Sequence, residues 1–311
     1  MSTEIENREH PRATTAIVEQ ASRVIGANRR RLGFVQNASA LTRASGTIEV
    51  ATATSRGASW MEVDPKYLGT RAAADLLARI QQLEHWLRDQ PARVDYCREL
   101  AALYLEKQRD YEAERLLVRT LEHTAKDPQV LSMLEDVKIY RMSLKLVAVE
   151  ADAAHDPSPA NQAIVEETRK QRDRLEIDVF SARMKREPDN MVLSFEFGCR
   201  LKRGGEFAEA RPHLERALHA PQLAAAAALE LGECWERSGR FAEALKAYRS
   251  AADAIADDSQ ADCRTDALLR ASSIAADLKL PNLARRYLGW LLQIDPDHRG
   301  AATLLERLER I

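Results

Sequence analysis

Cys234 and Arg240 form a C-x5-R pair, a spacing with which a thiolate and a guanidinium can cradle a phosphate in a loop before a helix. The intervening residues are Trp235-Glu236-Arg237-Ser238-Gly239, no histidine precedes the cysteine, and Phe241 stands where a Ser or Thr would follow. A thiolate needs converging backbone donors, which a helix interior does not supply, so phosphatase chemistry is not expected here. Glu209 and His213 lie at i, i+4 but lack a third ligand for a metal, and His213 and His219 fall on different helix faces. Cys97, Cys199, Cys234 and Cys263 form no C-x-x-C pair and no zinc spacing. They read as small apolar helix residues in a reduced compartment, with the cytoplasm the expected address. The sequence also lacks H-E-x-x-H, the phosphate-binding G-x-x-x-x-G-K-[ST], G-x-G-x-x-G and G-x-S-x-G. No catalytic, cofactor-binding or metal-binding residue is assigned, and an enzyme is not expected.

The elements that would carry any site are helices. Aromatic residues make up 5% of the 311, with 12 Gly and 11 Pro, too few aromatics and turn formers for a sandwich or barrel. Lys plus Arg number 46 against 48 Asp plus Glu, a net charge of −2, so no bulk charge recruits nucleic acid or membrane. No apolar run approaches the roughly 18 residues of a membrane span. The opening MSTEIENREH is acidic and has no apolar stretch behind it, so no secretory leader is expected.

Charge is unevenly placed. Residues 11–59 contain seven arginines, two glutamates and no Lys or Asp, a balance of +5 against −7 for the rest. This Ser-, Thr- and Ala-rich segment has weak periodicity, so residues 1–59 are expected to form a mostly disordered basic arm. Asp64-Pro65 then reads as a helix start. Leu76, Leu77, Ile80, Leu83, Trp86 and Leu87 recur at threes and fours as one stripe, predicting a helix within 60–91 that packs on the helices C-terminal to it.

Between Ala92 and Ile311 the chain repeats itself. Phe197-Gly198, Leu201, Gly205, Phe207, Ala210, Leu214 and Ala217-Leu218 return 34 residues later. The second copy reads Leu231-Gly232, Trp235, Gly239, Phe241, Ala244, Tyr248 and Ala251-Ala252. The small residues would let two antiparallel helices approach, with Gly198 or Gly232 facing Ala210 or Ala244. Gly205 and Gly239 would end each first helix in a left-handed cap. Pro212 would fall in the first turns of its helix, where a missing donor matters least. The pattern resembles the tetratricopeptide repeat family, whose unit is a helix–turn–helix. The resemblance implies an all-α fold, a right-handed superhelical solenoid of about four to five units behind the basic arm.

The units are placed at about 94–127, 191–224, 225–258 and 265–298, with Gln108 and Lys279 where the better copies have glycine. Residues 129–153 and 160–187 predict two long helices joined at His155-Asp156-Pro157-Ser158-Pro159, an extended hairpin over 129–187. The charged centre of that hairpin reads as a solvated helix face, with a partner-docking hairpin as the alternative. Leu304, Leu305 and Leu308 put an apolar face on a closing helix over 299–311.

The resemblance further implies a concave groove lined by the first helix of each unit. Carried onto this sequence, the candidate peptide-binding positions are Arg98, Phe195, Cys199, Lys202, Arg203, Leu229, Glu233 and Arg237. Phe195 and Leu229 beside Lys202, Arg203 and Arg237 would suit a segment carrying apolar and acidic residues. The expected function is a non-enzymatic protein–protein interaction scaffold or adaptor that binds a protein or peptide partner and needs no cofactor. One alternative is a regulator whose arm, with Arg29-Arg30-Arg31 and Phe34, contacts nucleic acid or an anionic surface. The other is an enzyme with a site in the irregular middle.

Overall fold

A computed structural model describes residues 72–254 and 261–309. The basic arm, the Asp64-Pro65 start and residues 255–260 lie outside them. Among the described residues there are twelve α-helices and no strand. The chain divides into two compact units, Met1–Arg172 and Asp173–Ile311.

The first unit holds α1 (Ala72–Asp89), α2 (Val94–Glu106), α3 (Asp110–His123), α4 (Pro128–His155) and the start of α5 (Pro159–Arg186). Successive helices from α1 to α4 pack pairwise. Leu76, Ile80, Leu83 and Leu87 of α1 are buried together with Leu100, Leu117, Val130 and Val137. Leu77, expected in the same stripe, is 54% exposed. It sits one residue, about 100° of helix rotation, beyond the narrow row that Leu76 and Ile80 define. Asp127 starts α4, its carboxylate accepting from Gln129 N (2.8 Å) and Val130 N (3.2 Å), with Pro128 following. In the hairpin, Arg169 donates to Glu150 Oε1 (2.7 Å) and Lys145 Nζ to Gln171 Oε1 (3.3 Å), an antiparallel register.

The second unit continues α5 and adds α6 (Met191–Arg203), α7 (Phe207–Ala217), α8 (Ala224–Arg237) and α9 (Phe241–Ala254). α10 (Ala261–Asp277), α11 (Pro281–Ile294) and α12 (Arg299–Glu309) complete it. Its core gathers Tyr248, Ala271, Ala275, Leu288 and Leu291 with Ala301, Leu304 and Leu308 of the closing helix. Gly232 lies under the Tyr248 ring, and the equivalent Gly198 lies beside Leu214 and Ala210 O. Pro212 is the sixth residue of α7, in the helix interior, and the helix runs through it. Phe241, which matches Phe207 at the 34-residue period, is 44% exposed.

Four turns join the two helices of a repeat in the same way. Arg109 N donates to Tyr104 O (2.8 Å), and Glu206 N to Leu201 O (2.9 Å). Arg240 N donates to Trp235 O and Leu280 N to Ala275 O, each at 2.9 Å. The residue before each donor is left-handed: Gln108 (φ 58°), Gly205 (89°), Gly239 (72°) and Lys279 (60°). This is the six-to-one cap that closes a helix over a left-handed residue. Only two of the four positions hold the residue type that adopts it without strain.

Candidate functional site

α6, α8 and α10, the first helices of the three repeats in the second unit, lie side by side and are bridged by charge. Lys202 of α6 is paired with both Glu230 and Glu233 of α8. Glu233 is also 2.9 Å from Arg270 of α10, which reaches Asp266 (3.3 Å) and Glu236 (3.9 Å). Burial opposes the Lys202 ammonium, but Glu230 and Glu233 outweigh it and hold its pKa above the usual lysine range. Glu236 in turn accepts from the buried Tyr248 hydroxyl at 2.6 Å. Burial and that carboxylate raise the phenol's pKa.

The other arginines of α6 turn toward α5. Arg203 pairs with Asp173 (2.9 Å) and Glu176. Arg200 lies 3.2 Å from Glu176 and 3.5 Å over the Phe180 ring, and burial lowers its pKa. Lys202 and Arg203 are therefore held by carboxylates of their own unit, whereas Arg237 is exposed and forms no ion pair among the described residues.

Phe195, Leu229 and Leu269 occupy one repeat position in α6, α8 and α10, and all three are half-buried. Cys199 and Glu233 share the next position toward the turn, also half-buried. Of the eight candidate groove residues, seven thus fall on α6 and α8. Arg98 sits exposed on α2, in the first unit. Sequence reasoning missed Glu230, Arg270, Asp173 and Glu176, which set the electrostatics of the row. A signal for them exists. Bridges between successive helix pairs recur at separations of 27, 30 or 31 residues, as in Lys202–Glu233, Arg203–Asp173, Arg203–Glu176, Arg216–Asp189 and Arg141–Asp110.

The residues whose types and spacing suggested chemistry are structural. Cys234 is buried in α8 and its thiol is pushed up to about 11 by burial, the reverse of what a nucleophile needs. Trp235 is clasped between Arg211 (4.1 Å) and Arg240 (4.3 Å), so the arginine of the C-x5-R pair covers an indole. His213 packs edge-on against Phe197 at 4.7 Å. Among the described residues no group of three or more His, Cys, Asp or Glu side chains is arranged to hold a metal.

Residues 195–259, which contain the Lys202–Glu233 bridge and two of the matching turns, match the tetratricopeptide repeat family. This segment carries tetratricopeptide repeats. No characterised protein matches it in sequence. Several solved structures are similar in fold. YrrB, described as a TPR protein with an unusual peptide-binding site, is 17% identical, with 72% of this chain and 97% of that chain covered and a TM-score of 0.47. A MamA fragment, residue 41 to the end, from Desulfovibrio magneticus RS-1 is 16% identical, covering 66% and 96%, with a TM-score of 0.43. PilF of Pseudomonas aeruginosa is 13% identical, covering 81% and 97%, with a TM-score of 0.38. The repeats in this segment support a general role in protein interaction.

Proposed function

We propose that the protein is a non-enzymatic adaptor, working in the cytoplasm, that holds a segment of a partner protein along α6, α8 and α10. The row these helices form corresponds to the concave face of a tetratricopeptide array. The observation that supports the reading most is the line of half-buried apolar residues, Phe195, Leu229 and Leu269, running beside the Lys202–Glu233–Arg270 bridges. Such a line offers apolar area for side chains of a bound segment, and the bridges fix the spacing of the helices that present it.

The charge balance revises the segment expected from sequence. Lys202, Arg203 and Arg270 are each matched by carboxylates, and of the candidate cations on α6 and α8 Arg237 alone forms no ion pair among the described residues. Contact with a bound segment therefore rests on apolar side chains, with Arg237 the cation left to meet an acidic group. Photo-crosslinking from positions 195 and 229 of the full chain in its native cells tests the reading. One protein captured from both positions, and lost with Phe195→Ala, is the expected result. Capture that is unchanged by Phe195→Ala, or equal from the exposed position 249, overturns it.

A further inference from the structure

The three repeats of the second unit all turn from first to second helix at one edge. Successive helices pack with the same register, so the α6–α7, α8–α9 and α10–α11 turns lie side by side, spaced by the roughly 8–10 Å of packed helices. Arg211 of α7 and Arg240 of the α8–α9 turn both cover the Trp235 ring, which ties the first two turns together. In order, the edge presents Glu206 and Phe207, then Arg240 and Phe241, then Leu278, Lys279 and Leu280.

Apolar exposure gathers here. Four large apolar residues of the second unit stand exposed among the described residues, and only Met191, at the start of α6, lies elsewhere. Phe241 (44%), Leu278 (40%) and Leu280 (45%) are all on the edge, and Phe207 is half-buried beside them. Charge is graded along the same line. At one end Glu206 is exposed, and its carboxylate neither caps α7 nor forms an ion pair among the described residues. At the other end Lys279 is exposed, held left-handed at φ 60°, and likewise without an ion pair among the described residues. Arg203 and Asp277 would oppose these signs, but each is matched within the unit, by Asp173 (2.9 Å) and Arg307 (3.5 Å). Arg240, in the middle, is paired with Glu243.

We propose that two copies of the chain meet along this edge, across a two-fold axis at Phe241. A two-fold reverses the row, so that Phe241 lies against its own counterpart. Phe207 of each copy then meets Leu278 and Leu280 of the other, and Glu206 of each meets Lys279 of the other. The edge is complementary to itself in apolar content and in sign, and this singles out a second copy as its occupant. The three turns span only about 20 Å, so the contact belongs with small, transient interfaces rather than permanent ones. Phe195, Leu229 and Leu269 each sit eight residues, about 12 Å of helix, before the last residue of the helix or the first of its turn, so the dimer and the row along α6, α8 and α10 use separate surfaces.

Sedimentation equilibrium of the full-length protein tests the proposal. A monomer–dimer equilibrium with a Kd of about 10–100 µM is expected. Phe241→Asp, Glu206→Lys and Lys279→Glu should each weaken it at least about ten-fold, while Phe195→Ala leaves it unchanged. Glu206→Lys and Lys279→Glu each set like charges together twice in their own dimers, whereas one chain of each restores both ion pairs with the signs exchanged. An equimolar mixture of the two should therefore associate at least about ten-fold more tightly than either alone. Variants that had simply misfolded would not recover on mixing. A protein that stays monomeric up to about 500 µM overturns the proposal. So does a dimer that Phe241→Asp leaves intact, or a mixture no tighter than its components.

Discussion

Gly232 of α8 lies flat against the ring of Tyr248 of α9, so close that a Cβ at 232 would sit 2.5 Å from the ring's Cε1. The corresponding Gly198 of α6 faces the branched end of Leu214, at 2.8 Å from Cγ. The two glycines hold the same repeat position, but their neighbours differ in how far they can give. Both neighbours are fully buried, but Tyr248 is a rigid ring tied to Glu236 by its hydroxyl, whereas the Leu214 side chain holds no hydrogen bond. Gly232→Ala is therefore expected to destabilise by about 2–3 kcal/mol and Gly198→Ala by about 1 kcal/mol, the range of overpacked cores. Urea unfolding of the two variants checks the order, and equal losses would mean the ring is not the constraint. Ala244, wholly buried in α9, should likewise reject leucine at a cost of about 1–3 kcal/mol.

The repeat turns allow a prediction of opposite sign. Gln108 and Lys279 are held left-handed by the same cap that Gly205 and Gly239 close. A side chain costs roughly 1–2 kcal/mol in that conformation, and glycine gives back part of the gain through its freer unfolded chain. Gln108→Gly and Lys279→Gly should each stabilise by about 0.5–1 kcal/mol. Gly205→Ala and Gly239→Ala should each cost about 1 kcal/mol. No heavy atom lies within 4 Å of a Cβ built at either glycine, so only the backbone can be responsible. Thermal midpoints of the four single variants separate the two groups.

These turns also mark how far the sequence could be read. Gly205 and Gly239 announce a left-handed cap by residue type, and their spacing exposes the period. Gln108 and Lys279 take the same conformation with nothing in their chemistry to signal it; only register shows it. Tyr248 was readable as a large residue in a known slot, but which glycine or alanine it would press on depends on ring orientation. The candidate row was half legible. Phe195 and Leu229 follow from the period alone, whereas the partners of Lys202 and Arg203 come from helices about one repeat away along the chain. An isolated helix shows only neighbours three and four residues apart, so such pairs are invisible until helices are stacked.

Lys202 provides the test of the charge bridges. Its side chain is 18% exposed and is the cation shared by Glu230 and Glu233. Lys202→Met removes the charge while keeping the volume, and leaves Glu230 without a cation. The expected loss is about 2–3 kcal/mol, less than the full cost of an orphaned buried charge because Arg270 still serves Glu233. Pairing the change with Glu230→Gln should recover more than half of that loss, which a double-mutant cycle in urea measures. Strict additivity would show that the bridge contributes nothing beyond its packing.

His213 sets an acid limit. Burial first, and the Arg216 guanidinium second, hold its pKa below the usual imidazole range, with Glu209 pulling weakly the other way. The unfolded chain therefore takes up this proton more readily than the folded one. The sign follows from linkage: stability from this group is intact above the ordinary imidazole pKa of about 6.5 and declines as the pH falls below it. His213→Phe keeps a ring beside Phe197, 4.7 Å away in the native pair, and removes the proton. Urea midpoints at pH 7.5 and 5.5 should fall further for the unaltered protein than for this variant, while the carboxylates and the other histidines contribute equally to both. Parallel falls would place the acid sensitivity outside the α6–α7 pair. A steeper fall in the variant would reverse the assigned direction.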